Sequence, residues 1–219
     1  DCNPEAMKEI IFPIRQDGVK TRAYGGTSFL VSASTISGMP YASTSDPWKC
    51  LFARVDLIKK FFPNGDIPKA TDEDLKNLTN PSKDQVIAKD NEKGISTADV
   101  VAQAKDDRAL FYMGIGGCSD KARTLTPGDA ITGPLNGASF VKWTNLHADG
   151  TVQHHQKFSD TDFPVFRLAE IYLTRAEAKY RLNGSQEGLA DILEVQGRAH
   201  RDLKASSVDE QTLIDEWCR

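Results

Sequence analysis

Apolar residues between positions 162 and 184, DFPVFRLAEIYLTRAEAKYRLNG, recur with a helical period. Winding the stretch as a helix places Val165, Phe166, Leu168, Ala169, Tyr172, Leu173, Ala176 and Tyr180 on one arc roughly 160° wide. Arg167, Glu170, Thr174, Glu177 and Arg181 fall on the opposite side, where Arg167 with Glu170 and Glu177 with Arg181 are spaced to pair. Pro164 suits the first turn, where no backbone N–H is needed, and Gly184 suits a helix stop. So wide an arc predicts a helix wedged between neighbours. A second helix is expected over 185–201, with Leu189, Ile192, Leu193 and Ala199 inward. Ser207-Val208-Asp209-Glu210 reads as a capping box opening a third helix that carries Leu213, Ile214 and Trp217.

Upstream the pattern changes. Ile10, Ile11, Phe12 and Ile14 form a short apolar run closed by Gln16-Asp17-Gly18, which predicts a strand and a tight turn. Gly25-Gly26 precede a second run at 29–33. Positions 34–49 are rich in Ser, Thr, Gly and Pro and read as irregular, yet contain Tyr41 and Trp48. Leu51, Val55, Ile58 and Phe62 share a helical face that ends at Pro63-Asn64-Gly65. The stretch 66–107 is polar and interrupted by Pro68, Pro81 and Gly94, and short strands are expected at 109–113 and 139–143. The chain therefore divides into a loop-rich mixed region, 1–160, and a helical region, 161–219. Two helices joined by a short Gly-containing turn form an αα-hairpin, the unit of helical repeat arrays.

The run FPVFRLAEIYLTRAEAKYRLNG, with FVKWTN at 140–145, GRAH at 197–200 and IDEWCR at 214–219, resembles the SusD/RagB family of outer-membrane nutrient-binding lipoproteins of Bacteroidetes. EIIFPIRQDG at 9–18, YGGTSFLV at 24–31 and DDRALFY at 106–112 are similar to the same family. Leu193 and Gln196 stand where the family commonly has Asn and then Arg. The resemblance implies a mainly α fold with irregular and minor β structure. Its scaffold would be a tetratricopeptide (TPR)-like helical hairpin, a truncated piece of an α/α superhelix. It also implies binding of an oligo- or polysaccharide without chemistry, an upstream lipid anchor at the outer-membrane surface, and a SusC-like TonB-dependent transporter as partner. No cofactor is implied.

Composition narrows the alternatives. Hydrophobic residues at 39% and charged residues at 26% are ordinary for a chain that buries a core. A net charge of -4 argues against nucleic acid or an anionic membrane as the main partner. No apolar run approaches the length of a membrane span. No signal peptide begins the sequence, and Cys2 has nothing hydrophobic before it, so it does not read as the lipid anchor. Cysteines 2, 50, 118 and 218 lack zinc spacing; they allow two disulfides in three pairings, or free thiols, which a chain of this size favours. The third helix runs to Arg219 without Gly or Pro, so the chain is expected to be part of a longer protein. With one hairpin and one helix of an array, Phe166 or Trp217 would then be unusually exposed.

Several groups invite a chemical reading. Gly114-Ile115-Gly116-Gly117-Cys118 lacks the Lys-Ser/Thr of a phosphate loop and reads as a turn. Asn77-Leu78-Thr79 matches a glycosylation sequon, which needs a eukaryotic secretory route. His154 and His155, adjacent on an extended chain, point apart and read as surface histidines rather than metal ligands. Asp160 and Asp162 could form the acid/base pair of a glycosidase, but their place before the expected helix suits capping better. No catalytic residue and no metal ligand is assigned. The aromatics are the binding candidates, because a pyranose is gripped by flat rings under its C–H faces with polar groups beside them. Trp48 and Tyr41 lie in an irregular polar section, and Tyr24 stands next to a Gly pair, where loop residues carry binding. Trp143, centred in a strand pattern, and Trp217, on an apolar helix face, read as core. Three functions compete: a glycan-binding module, a glycoside hydrolase of a polysaccharide-utilisation locus, and a TPR-type module that binds only protein.

Overall fold

The computed structural model describes residues 6–35, 44–48, 50–65, 97–112, 138–147, 153–184 and 186–219. The sequon at 77, the glycine-rich run 114–118, Tyr41, Cys2 and Cys118 lie outside the described residues. A 3-10 turn, Ala6–Lys8, leads into strand β1, Ile10–Ile14. The apolar run of β1 needs a partner for its backbone, and finds it in β5, Phe163–Arg167. The two pair antiparallel, with Phe12 opposite Phe166, Pro13 opposite Pro164 and Ile14 opposite Phe163.

This pairing corrects the expected helix over 162–184. Phe163 precedes a proline, which disfavours helical backbone there, and Val165 and Phe166 suit a pleated strand. The helix, α4, begins only at Leu168 and runs Leu168–Asn183. Pro164 is therefore a strand residue, tolerated because Pro13 stands opposite it in a ribbon of two edge strands. Arg167 pairs with Glu9 across the ribbon at 3.6 Å, not with Glu170. The second pair forms as expected: Arg181 lies 2.7 Å from Glu177. Gly184 ends the helix at φ 88° with its N–H on the Tyr180 carbonyl.

Between the ribbon strands, the run at 29–33 belongs to helix α1, Gly26–Ser34. A short strand β2, Phe52–Ala53, precedes helix α2, Val55–Phe61, so the expected helix from 51 starts four residues late. Helix α3 spans Thr97–Ala104, and strands β3, Phe111–Tyr112, and β4, Ala138–Phe140, complete a sheet of order β2-β4-β3. Trp143 lies past the end of β4, half-buried, with Lys142 Nζ 5.7 Å from its ring centroid. One core joins this sheet to α2 and α3 through Ala53, Ile58, Phe61, Val100, Phe111 and Ala138.

The second core belongs to the helical region. Helices α5, Leu189–Arg198, and α6, Glu210–Cys218, pack with α4 through Leu173, Ala176, Ile192, Val195, Val208 and Leu213. The cap of α6 is Asp209, whose side chain accepts from the Thr212 N–H, and not the expected Ser207 box. Those backbone bonds hold the Asp209 carboxyl below its usual range. Gly188 permits the hairpin: a Cβ there would lie 2.5 Å from the Ala176 carbonyl oxygen. Gly188→Ala is expected to lower stability by about 1–3 kcal/mol in chemical denaturation, because neither helix backbone can yield locally. Asp191 ties the same pair, accepting from Arg175 and Lys179.

Phe166 and Trp217 are 50% and 43% exposed. The exposure expected of a piece of an array is present, and the core reading of Trp217 is corrected: α6 buries Leu213 and Glu216 and turns its Trp outward. Cys50 and Cys218 are exposed free thiols. Among the described residues no helix is long and apolar enough to cross a membrane.

Candidate functional site

The binding candidates Tyr24 and Trp48, separated along the chain by α1, come together in the structure. Their ring centroids are 5.2 Å apart at 50°. Trp48 meets Phe29 at 5.7 Å, Tyr24 meets Phe158 at 5.1 Å, and Phe158 meets His155 at 4.8 Å. The five rings thus form a continuous chain, Phe29–Trp48–Tyr24–Phe158–His155. Tyr24 and Phe29 are each 44% exposed, so part of it remains open to solvent. Aromatic contacts at these distances stabilise one another and stiffen the surface they form.

Three segments supply the rings, and α1 positions all of them. Its buried residues include Thr27, Ser28, Ser32 and Ser34, small enough for other backbone to approach closely. The Trp48 N–H donates to the Ser32 carbonyl, and the Cys50 and Leu51 N–H groups donate to the Ala33 carbonyl. On the other side, the Ser159 N–H donates to Ser28 Oγ. The Ser45 N–H donates to the Gln156 carbonyl, joining the Trp48 segment to the Phe158 segment directly. Asn145, 1% exposed, clasps the latter: its Nδ2 donates to the His155 carbonyl and its Oδ1 accepts from the Asp160 N–H.

Asp160 and Asp162 do not cap a helix, because a strand follows them. Both are buried. Asp160 Oδ2 accepts from the His154 N–H and lies 2.9 Å from His154 Nδ1 and 3.0 Å from His147 Nε2. Asp162 Oδ1 accepts from the Gln16 N–H. Both carboxylates are thus engaged in fastening loops. His154 and His155 separate as expected for neighbours on extended chain, one to Asp160 and the other to Phe158.

The Tyr24 loop is fixed by Asp17, whose Oδ1 accepts from the N–H groups of Thr21, Val19 and Lys20. Those bonds hold its carboxyl well below the usual range. Gly18 beside it has φ +64°, and a Cβ would fall 2.3 Å from Asp160 Oδ1 and 3.0 Å from the Phe158 carbonyl. Gly18→Ala is expected to lower stability by about 1–3 kcal/mol. A thermal melt would check the loss, and a weaker near-ultraviolet aromatic signal would report the disturbed Phe158 segment.

A hydroxyl and a carboxylate meet at the rim of the rings. The Tyr24 hydroxyl donates to Asp46 Oδ2 at 3.0 Å. This bond, burial and the neighbouring negative charge push the phenol above its ordinary pKa. Rings with an adjacent hydrogen-bonding carboxylate are the components of a carbohydrate platform: C–H faces stack while hydroxyls find the polar edge.

The SusD family model matches residues 8–217. The chain belongs to the SusD family. It is 48% identical over 221 residues to the "Starch-binding protein SusD" of Bacteroides thetaiotaomicron, an alignment covering 100% of this chain and 39% of that protein. The chain thus spans about two fifths of the length of that SusD protein. Within the family frame, Gln196 keeps a buried polar role: Nε2 donates to Glu216 Oε2 and Oε1 accepts from the Ala205 N–H.

Sequence reasoning named Tyr24 and Trp48, while Tyr41 lies outside the described residues. It missed Phe29, Phe158, His155 and Asp46. The one available signal was the outward phase of Phe29, visible only once 26–34 is wound as a helix. Phe158 sits in a polar loop with no periodicity, so nothing local marks it.

Proposed function

We propose that this chain is the glycan-binding part of a non-catalytic uptake protein, with Tyr24 and Trp48 as the platform on which sugar rings stack. The observation that carries the reading is their approach to 5.2 Å with the Tyr24 hydroxyl on Asp46. The name of the Bacteroides relative makes a starch-type α-glucan the ligand to test. Residues 1–160 would display the site and 161–219 would form the scaffold. Tyr41 would join the site from the same irregular section as Trp48.

The hydrolase reading is disfavoured by chemistry. Asp160 and Asp162 are 0% and 3% exposed and committed to loop bonds, so neither is available to protonate a glycosidic oxygen or activate water. Family membership supports a lipid-anchored position at the outer-membrane surface and hand-over of the glycan to a SusC-like TonB-dependent transporter. Exposed Tyr and Trp rings also serve protein interfaces, so the reading as a module that binds only protein is separated from this one by retention on starch.

The test is affinity electrophoresis through gels containing soluble starch, with reducing ends measured in the same mixture. Retarded migration without new reducing ends is expected. Unretarded migration, or turnover at catalytic rates, would overturn the reading.

A further inference from the structure

We propose that Asp46 makes this platform selective for neutral glycans and turns away chains bearing carboxylate or sulfate groups. The inference rests on the glycan-binding reading and adds which chemical class the site accepts. Asp46 Oδ2 is 3.0 Å from the Tyr24 hydroxyl, the polar edge of a ring that is 44% exposed. A sugar stacked on that ring through its C–H face carries its equatorial hydroxyls around its rim, roughly parallel to the aromatic plane, where the phenol edge and its carboxylate can meet them. Asp46 Oδ1 accepts no hydrogen bond, and no lysine or arginine pairs with Asp46, among the described residues. Among the described residues the other polar tie of this residue is its own N–H on Thr44 Oγ1.

An unpaired carboxylate can accept from a sugar hydroxyl, with the extra strength of a charged acceptor. Toward a uronic acid or a sulfated sugar it is a like charge, and among the described residues no cation pairs with it. Two unit charges about 5 Å apart in water-like surroundings change affinity by roughly three- to fivefold at low salt, and less as salt screens them. The repulsive element, not only the attractive one, then sets specificity.

The experiment compares soluble starch with carboxymethyl starch in affinity gels at low and high salt, using the wild-type chain, Asp46→Asn and Glu194→Gln. Asparagine keeps an oxygen for the Tyr24 hydroxyl, so the platform stays in place. Glu194→Gln removes the same charge from the exposed side of the hairpin helix α5. Wild type is expected to favour neutral starch at low salt, and Asp46→Asn to narrow that preference about threefold, with Glu194→Gln leaving it unchanged. Equal effects of the two substitutions, or none from Asp46→Asn, would overturn the proposal while leaving glycan binding intact. Failure of the wild-type chain to retain either polymer would overturn the glycan-binding reading itself, and the selectivity with it.

Discussion

Trp48→Ala is expected to abolish retention on starch gels, with a fall in affinity of about tenfold to a hundredfold, while the fold persists. Trp48 links Phe29 to Tyr24, at 5.7 and 5.2 Å, so its removal takes away the larger ring of the stacking pair and separates Phe29 from the rest of the row. Loss of a central aromatic anchor typically dominates the energetics of a small binding surface. The Trp48 N–H bond to Ser32 is a backbone contact and survives the substitution. An unchanged far-ultraviolet spectrum with lost retention separates a binding effect from unfolding. Retention within twofold of wild type would show that the sugar sits elsewhere.

The largest stability effect is expected at the buried charge network joining the two cores. Asp106, 1% exposed, accepts from Arg108 Nε and Nη2 at 2.9 Å and from Arg201 Nη1 at 3.0 Å. Arg108 Nη1 also donates to Glu216 Oε1 at 2.6 Å, and Glu216 Oε2 accepts from Gln196 and Arg219. The sheet region thereby holds α5 and α6 through ionic hydrogen bonds. Asp106→Ala leaves Arg201, 3% exposed, without its carboxylate and is expected to cost about 3–5 kcal/mol. Urea unfolding would measure it.

The same site gives a pH dependence of definite sign. Burial raises the Asp106 pKa, but the Arg108 and Arg201 bonds outweigh it and hold the carboxyl below its ordinary 3.8. A folded pKa below the unfolded one contributes stability that is complete above the unfolded value and is lost as pH falls through the folded one. Unfolding free energy should therefore decline on acidification below that ordinary value, and less steeply in Asp106→Ala than in wild type.

How far the sequence disclosed this fold depends on whether a signal is local. The hairpin was legible because Ala169, Tyr172, Leu173 and Ala176 repeat at a helical period, Gly184 marks a stop, and Leu189 and Ile192 resume the period beyond it. The strand at Phe163–Arg167 was hidden, since its apolar residues continue that same period and only β1, far along the chain, reveals the pairing. Asp209 outcompeted Ser207 as the cap of α6 by a shift of two residues, within the ambiguity of overlapping polar signals. Tyr24 and Trp48 could be nominated as rings in polar loops. Their contact could not, because it depends on how α1 gathers three separate segments through Ser28, Ser32 and Ala33. Asp46 became meaningful only with its bond to Tyr24.

The most direct test of the glycan platform is a crystal structure of the protein with a bound malto-oligosaccharide. Glucose rings are expected against the open faces of Tyr24 and Trp48, with a sugar hydroxyl within hydrogen-bonding distance of Asp46. Oligosaccharide ordered at another surface, with these rings bare, would contradict the account.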